Sequence, residues 1–152
     1  MGSATVQGRL WAMHARDFAA YLEQVALPLH GAVLDAAHVA PGTRLLDAGC
    51  GAGLLALLAS LRGARVTALD ASAALLAIVR ERLPAADVRE GDLEALPFAD
   101  ASFDAVTAVN SLFLDCCPGQ YRLLPGSLIW SQKSRGLVPA SPVGSGPLPA
   151  LP

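Results

Sequence analysis

The run Leu45-Leu46-Asp47-Ala48-Gly49-Cys50-Gly51-Ala52-Gly53 sets three glycines at alternate positions directly after a short apolar stretch. Glycine carries no Cβ, so such a loop lets a ligand approach the main chain where a strand gives way to a helix. Further polar residues recur downstream at the ends of predicted strands: Asp70 with Ala71, Asp92 with Leu93, and Asn110. A carboxylate at Asp70 can accept both hydroxyls of a ribose, and one at Asp92 can accept from the exocyclic amine of a purine. Asp47, Asp70 and Asp92 together suit a ligand that carries positive charge and disfavour a pyrophosphate.

These residues need elements to bring them to one place, and the chain supplies an alternation of strands and helices. Arg44 to Ala48 reads as a first strand and Gly53 to Leu61 as a helix apolar on nearly every side, closed by Gly63. Arg65 to Leu69 is a second strand. Ser72 is placed to cap a helix whose buried stripe is Leu75, Leu76, Val79 and Leu83, and Pro84 ends it. Asp87 to Glu90 and Phe103 to Val109 give a third and a fourth strand. Strands alternating with helices predict an α/β fold: an open, mostly parallel sheet of about four strands with helices on both faces, joined by right-handed crossovers. Asp47, Asp70, Asp92 and Asn110 then surround one crevice at the carboxyl edge of the sheet.

Ahead of this core, Trp11, Ala15, Phe18, Leu22 and Val25 recur at helical spacing, with Arg16, Asp17 and Glu23 off the seam. Pro28 opens a second helix through Ala37. After about Asp115 the character changes: seven of the eleven prolines and five glycines fall there, and no acidic residue does. The expected division is therefore N-terminal helices over 1–40, an α/β core over 41–115 and an irregular Pro/Gly-rich tail, disordered by composition, over 116–152.

Composition removes several classes of function. The formal charge is −2 and the arginines are scattered, so no nucleic-acid footprint or polybasic membrane patch is present. The N-terminus lacks an apolar signal core, and the run from Ala48 to Leu61 is too short to span a bilayer, so a soluble, cytoplasmic protein is expected. Cys50, Cys116 and Cys117 form no metal-binding or disulfide pattern, and no metal is expected. Cys50 reads as a small filler of the glycine loop; Cys116-Cys117 has no assigned role.

Several stretches resemble the class I S-adenosylmethionine-dependent methyltransferases, in particular the methyltransferase type 11 domain of the ubiquinone and menaquinone methyltransferases. Leu46 to Gly53 resembles the first motif of that family, and Ala68-Leu69-Asp70-Ala71-Ser72 resembles the acidic strand end that follows it. Gly91-Asp92-Leu93-Glu94-Ala95-Leu96-Pro97-Phe98 and Ser102-Phe103-Asp104-Ala105-Val106 resemble the next two. The resemblance runs from about Trp11 to about Ser111 and implies a Rossmann-like fold. It implies S-adenosylmethionine as cofactor: Asp47, Gly49, Cys50, Gly51 and Gly53 around its methionyl part, Asp70 and Ala71 at the ribose, Asp92 and Leu93 at the adenine, and Asn110 by the amino group. It also implies methyl transfer to an unidentified small-molecule acceptor. After about Leu112 the sequence departs from the family, which suggests truncation or a changed reading frame and leaves the fourth strand as an exposed edge open to self-association.

Plainer readings stand beside these. The glycines can serve a tight turn alone, Asp70 a solvated cap, Asp104 a structural contact and Glu94 solvent. His14, His30 and His38 read as surface or capping residues; His14 and Asp17 are the N-terminal candidates for a base, and no catalytic residue is assigned. Two other functions remain open: a catalytically inactive remnant that binds S-adenosylmethionine, and an NAD(P)-binding domain. The dinucleotide pattern asks for glycine where Leu54 stands, and it gives Asp92 no role.

Overall fold

A computed structural model describes residues 4–109 and Ser111, together with the backbone of two further strands, Leu128–Ser131 and Gly136–Pro139. Asn110, Cys116, Cys117 and the rest of the tail lie outside the described residues.

Four strands, β1 (Arg44–Ala48), β2 (Arg65–Asp70), β3 (Asp87–Glu90) and β4 (Ala105–Ala108), are parallel, in the order β3-β2-β1-β4. The order reverses between β1 and β4, which is where open sheets of this kind leave a crevice at the carboxyl ends of the strands. β5 (Leu128–Ser131) and β6 (Gly136–Pro139) extend the sheet antiparallel beyond β4. The edge of β4, expected to be open to self-association, is thus paired within the chain. Its backbone donors and acceptors are met in cis by residues of the segment expected to be irregular.

Two apolar layers fix the sheet. On one face Leu45, Val66 and Ala68 meet α4 (Leu27–Ala36), α5 (Leu54–Leu61) and α6 (Ala73–Arg82) through Val33, Leu34, Leu55, Ala56, Ala59, Leu76 and Val79. Leu34, Leu45, Leu46, Leu69 and Leu76 are fully buried, and each such side chain contributes about 1.5–3 kcal/mol relative to exposure. On the other face Leu46, Ala48, Leu69 and Ala108 pack against Leu93, Phe98 and Phe103. Among the described residues this second face is closed by the β3–β4 connection. Phe98 and Phe103 meet edge to face there, with centroids 5.0 Å apart.

The N-terminal segment departs from a single amphipathic helix. It starts earlier, as α1 (Ala4–Ala12), and resumes after a turn as α2 (Ala15–Asp17), a π-helical segment (Phe18–Leu22) and α3 (Glu23–Val25). Ala15, Ala19 and Glu23 face inward, while Leu22 and Val25 of the expected seam are 63% and 80% exposed. The π segment widens the turn and shifts the phase of the side chains, so a seam drawn at 3.6 residues per turn selects the wrong residues.

Candidate functional site

The glycine loop follows β1 at the carboxyl edge of the sheet and is tied at both ends. The Gly49 and Cys50 amides both donate to the Leu69 carbonyl, at 2.7 and 3.0 Å, holding the loop against the end of β2. Gly49, Gly51 and Gly53 all have left-handed φ, of +75°, +57° and +86°. At Gly49 there is also no room for a side chain, because a Cβ would lie 2.1 Å from Cβ of Ser111. The loop therefore needs glycine for its own conformation and for its close packing against Ser111.

Asp70, at the end of β2, is half-buried and accepts the Gly51 amide at Oδ2 and the Ser72 amide at Oδ1, both at 2.9 Å. Burial raises its pKa, and hydrogen bonds from the Ser72, Gly51 and Ala71 amides oppose the rise. Ala71 is overlaid by α1, where Gly8 comes so close that a Cβ would sit 2.4 Å from the Ala71 carbonyl oxygen. Ser72 caps α6 through its side chain, accepting from the Leu75 amide.

Asp47 lies beneath the loop, 2% exposed. Thr107 on β4, its register neighbour, donates to Oδ1 at 3.0 Å, while Oδ2 has no hydrogen-bond partner among the described residues. Burial pushes its pKa up to about 7, against the Thr107 hydrogen bond; Asp70 and Glu23 nearby raise it further. Burial likewise raises the Cys50 thiol well above its ordinary value, with Asp47 and Asp70 adding to the effect, which suits a filler and not a nucleophile.

At the third strand end, Asp92 accepts the Glu94 amide at Oδ1, 2.9 Å. Leu93 packs on the layer of Leu46, Ala48 and Leu69. The structure thus brings Asp47, Gly49, Cys50, Gly51, Gly53, Asp70, Ala71, Asp92 and Leu93 to one edge of the sheet; Asn110 lies outside the described residues. His14 and Asp17 are exposed, 3.9 Å apart. His30 is buried with Nδ1 unpartnered among the described residues, and burial lowers its pKa. Asp104 binds the amide and guanidinium of Arg44, a structural contact. An open cleft of about 750 Å³ lined by Arg44, Arg65, Asp87 and Phe103 opens at the amino ends of the strands, on the opposite edge.

Glu23 and Arg82 were not legible as site residues. Glu23 is 4% exposed; its Oε1 accepts the Leu54 amide at 2.8 Å and its Oε2 the Arg82 guanidinium at 2.6 Å. The first turn of α5, the helix that the glycine loop opens, thus already holds a carboxylate. In dinucleotide-binding folds that turn receives the pyrophosphate. Thr107 and Ser111 were also missed, although a threonine facing an aspartate across paired strands is a signal that becomes readable once the register is known.

Among the described residues no group of three or more His, Cys, Asp or Glu is placed to hold a metal ion, and no helix is long and apolar enough to cross a membrane.

Residues 46–118 match the sequence profile of the family described as Methyltransferase domain. An uncharacterized protein of Mycobacterium tuberculosis is 36% identical over 107 residues, covering 68% of this chain and 38% of that protein. The demethylmenaquinone methyltransferase of Renibacterium salmoninarum is 45% identical over 75 residues, covering 49% of this chain and 32% of that enzyme. This chain therefore spans less than two fifths of the length of these relatives. The crystal structure of a TehB-like SAM-dependent methyltransferase from Corynebacterium glutamicum superposes with a TM-score of 0.55 at 25% identity, covering 68% of this chain and 61% of that one. Over the residues it shares with these proteins, the chain is similar to S-adenosylmethionine-dependent methyltransferases.

Proposed function

We propose that the crevice binds S-adenosylmethionine and that the protein transfers its methyl group to a small-molecule acceptor. The observation that carries this reading is electrostatic. Asp47, Asp70 and Glu23 converge on the glycine loop, and Glu23 fills the helix terminus that a pyrophosphate would need. Among the described residues only Glu23 of these three has a cationic partner, Arg82, so a ligand carrying both ammonium and sulfonium charge gains from the site and a dinucleotide loses. The unpartnered Oδ2 of Asp47 fits such a ligand.

In this reading the loop from Asp47 to Gly53 surrounds the methionyl part, Asp70 and Ala71 hold the ribose, Asp92 and Leu93 the adenine, and Asn110 the amino group. The helices of residues 1–40 cover the bound molecule. The cofactor supplies an electrophilic methyl carbon ready for displacement. The residues of this chain orient it, keep water from its sulfonium face and balance its charge. Aligning two bound reactants lowers a barrier by roughly 7–11 kcal/mol in favourable cases, so an acceptor that is already nucleophilic needs no dedicated base. We further propose a cytoplasmic location and no nucleic-acid partner, since Arg44, Arg62, Arg82 and Arg89 are engaged in ion pairs with acidic residues.

Calorimetric titration with S-adenosylmethionine and, separately, with NAD tests the proposal. Micromolar binding of the first alone is expected; binding of NAD, or of neither, overturns it. Binding without methyl release to any acceptor in a small-molecule panel supports the inactive reading instead.

A further inference from the structure

The first turn of α5 has a defect that its own sequence cannot repair. Gly53 stands at the cap position in a left-handed conformation and has no side chain to accept the free amides of the turn. The Leu54 amide is instead met from thirty-one residues upstream by Glu23, at 2.8 Å. A carboxylate at that point also meets the positive end of the helix dipole. The second oxygen of Glu23 is held by Arg82 of α6, which reaches back along its helix and donates with the same nitrogen to the Ala52 carbonyl, at 2.8 Å.

The contacts thus join three elements at one point: the N-terminal helices, the glycine loop and α6. The loop lies between two anchors, Asp70 on the Gly51 amide and the Glu23–Arg82 pair on Ala52 and Leu54. The N-terminal segment also reaches the loop through Phe18, whose ring comes within 3.1 Å of where a Gly51 Cβ would stand. Ala15 and Ala19 complete the contact against Ala52 and Leu75. Small residues let the segment lie close, but Glu23 is the one buried charge on it, and its burial is satisfied only when the segment is docked.

We infer that the Glu23–Arg82 pair is a clasp that registers the N-terminal helices on the glycine loop, so that Glu23 is a positioning residue for the cofactor site. The inference rests on the cofactor reading proposed above. Removing the clasp frees the segment and the far end of the loop together, while the sheet and the Asp70 anchor remain.

The test uses the full chain and the variants Glu23→Ala, Glu23→Gln, Arg82→Met and the double variant Glu23→Ala/Arg82→Met, each titrated with S-adenosylmethionine. Glu23→Ala is expected to weaken binding at least about tenfold. Glu23→Gln, which keeps an acceptor for the Leu54 amide, recovers part of the loss, and the double variant loses less than the product of the two singles. Wild-type affinity in folded Glu23→Ala, or losses that multiply independently, overturns the clasp. Hydrogen exchange without cofactor reads it separately. Glu23→Ala, or Glu23→Gln if the former does not fold, should raise exchange over 4–22 and 51–57 together and leave β1 and β2 protected. Unchanged exchange in both segments overturns the clasp even if the wild-type chain binds no S-adenosylmethionine, which would itself overturn only the cofactor reading.

Discussion

The Asp70 carboxylate accepts the Gly51 amide at 2.9 Å, so the side chain proposed to hold a ribose also holds the loop that faces it. Its other oxygen takes the Ser72 amide at the start of α6. Position at a strand end suggests that Asp70→Ala would leave the fold untouched; these two bonds say otherwise. Hydrogen bonds to a charged group are worth about 1.5–3 kcal/mol each, and water recovers part of that at a half-buried site. Asp70→Ala is expected to lose cofactor affinity by about a hundredfold or more and stability by roughly 1–3 kcal/mol. Calorimetry and urea denaturation on the same preparation separate the two effects. Unchanged affinity would remove Asp70 from the site.

Asp47 makes stability depend on pH in a direction opposite to an ordinary paired aspartate. Its pKa is raised from 3.8 to about 7, so between those values the folded chain holds more protons than the unfolded one. Stability therefore falls as pH rises through that window, by on the order of 4 kcal/mol if the group ionises fully. Asp70 shifts the same way and adds to the slope. Urea titrations from pH 5 to pH 8 should show this decline, and Asp47→Asn should flatten much of it. A cationic cofactor favours the ionised form, so binding near pH 6.5 should release protons, visible as a dependence of the binding heat on the ionisation enthalpy of the buffer.

Much of the core was legible because local chemistry and tertiary structure agree there. β1 spans Arg44–Ala48 and β3 Asp87–Glu90, the bounds expected of them, Gly63 ends α5, and Ser72 caps α6 through its side chain. The glycine loop was legible because left-handed φ and close approach demand glycine locally. What escaped was non-local. Glu23 looks like a solvent-facing residue of an ordinary helix until the π segment turns it inward against Leu54 and Arg82. β5 and β6 come from a stretch with no periodicity, and the hydrogen bonds of β4 give them their place. The structural bonds of Asp70 depend on a loop conformation that no spacing reveals.

Gly49 offers a test of the loop without any ligand. An alanine there must adopt φ near +75° and place its Cβ against Ser111. The left-handed conformation costs roughly 1–2 kcal/mol and the overlap about 1–3 kcal/mol. Gly49→Ala should therefore lower stability by about 2–5 kcal/mol. Adding Ser111→Gly removes the clash but not the backbone strain, and it gives up the bond from Ser111 Oγ to the Ala48 carbonyl at 2.7 Å. The double variant should be more stable than the sum of the two single losses implies. Strictly additive losses would mean that Ser111 does not lie against Gly49 in solution.

Asp92 is the proposed reader of the base, and its geometry makes that reading specific. Oδ1 is committed to the Glu94 amide, which turns the loop after β3, while among the described residues Oδ2 has no hydrogen-bond partner. An oxygen held in this way accepts from an exocyclic amine and repels an exocyclic carbonyl. The wild-type chain should bind S-adenosylmethionine roughly tenfold or more tightly than the analogue in which that amine is replaced by oxygen, the worth of one hydrogen bond to a charged acceptor. Asp92→Ala should bind both weakly and within about twofold of each other, since the discriminating oxygen is gone. Because the side chain is only half-buried, the change in stability should be small, on the order of 1 kcal/mol from the lost turn bond. Discrimination that survives in Asp92→Ala would assign the base to another part of the β3–β4 connection.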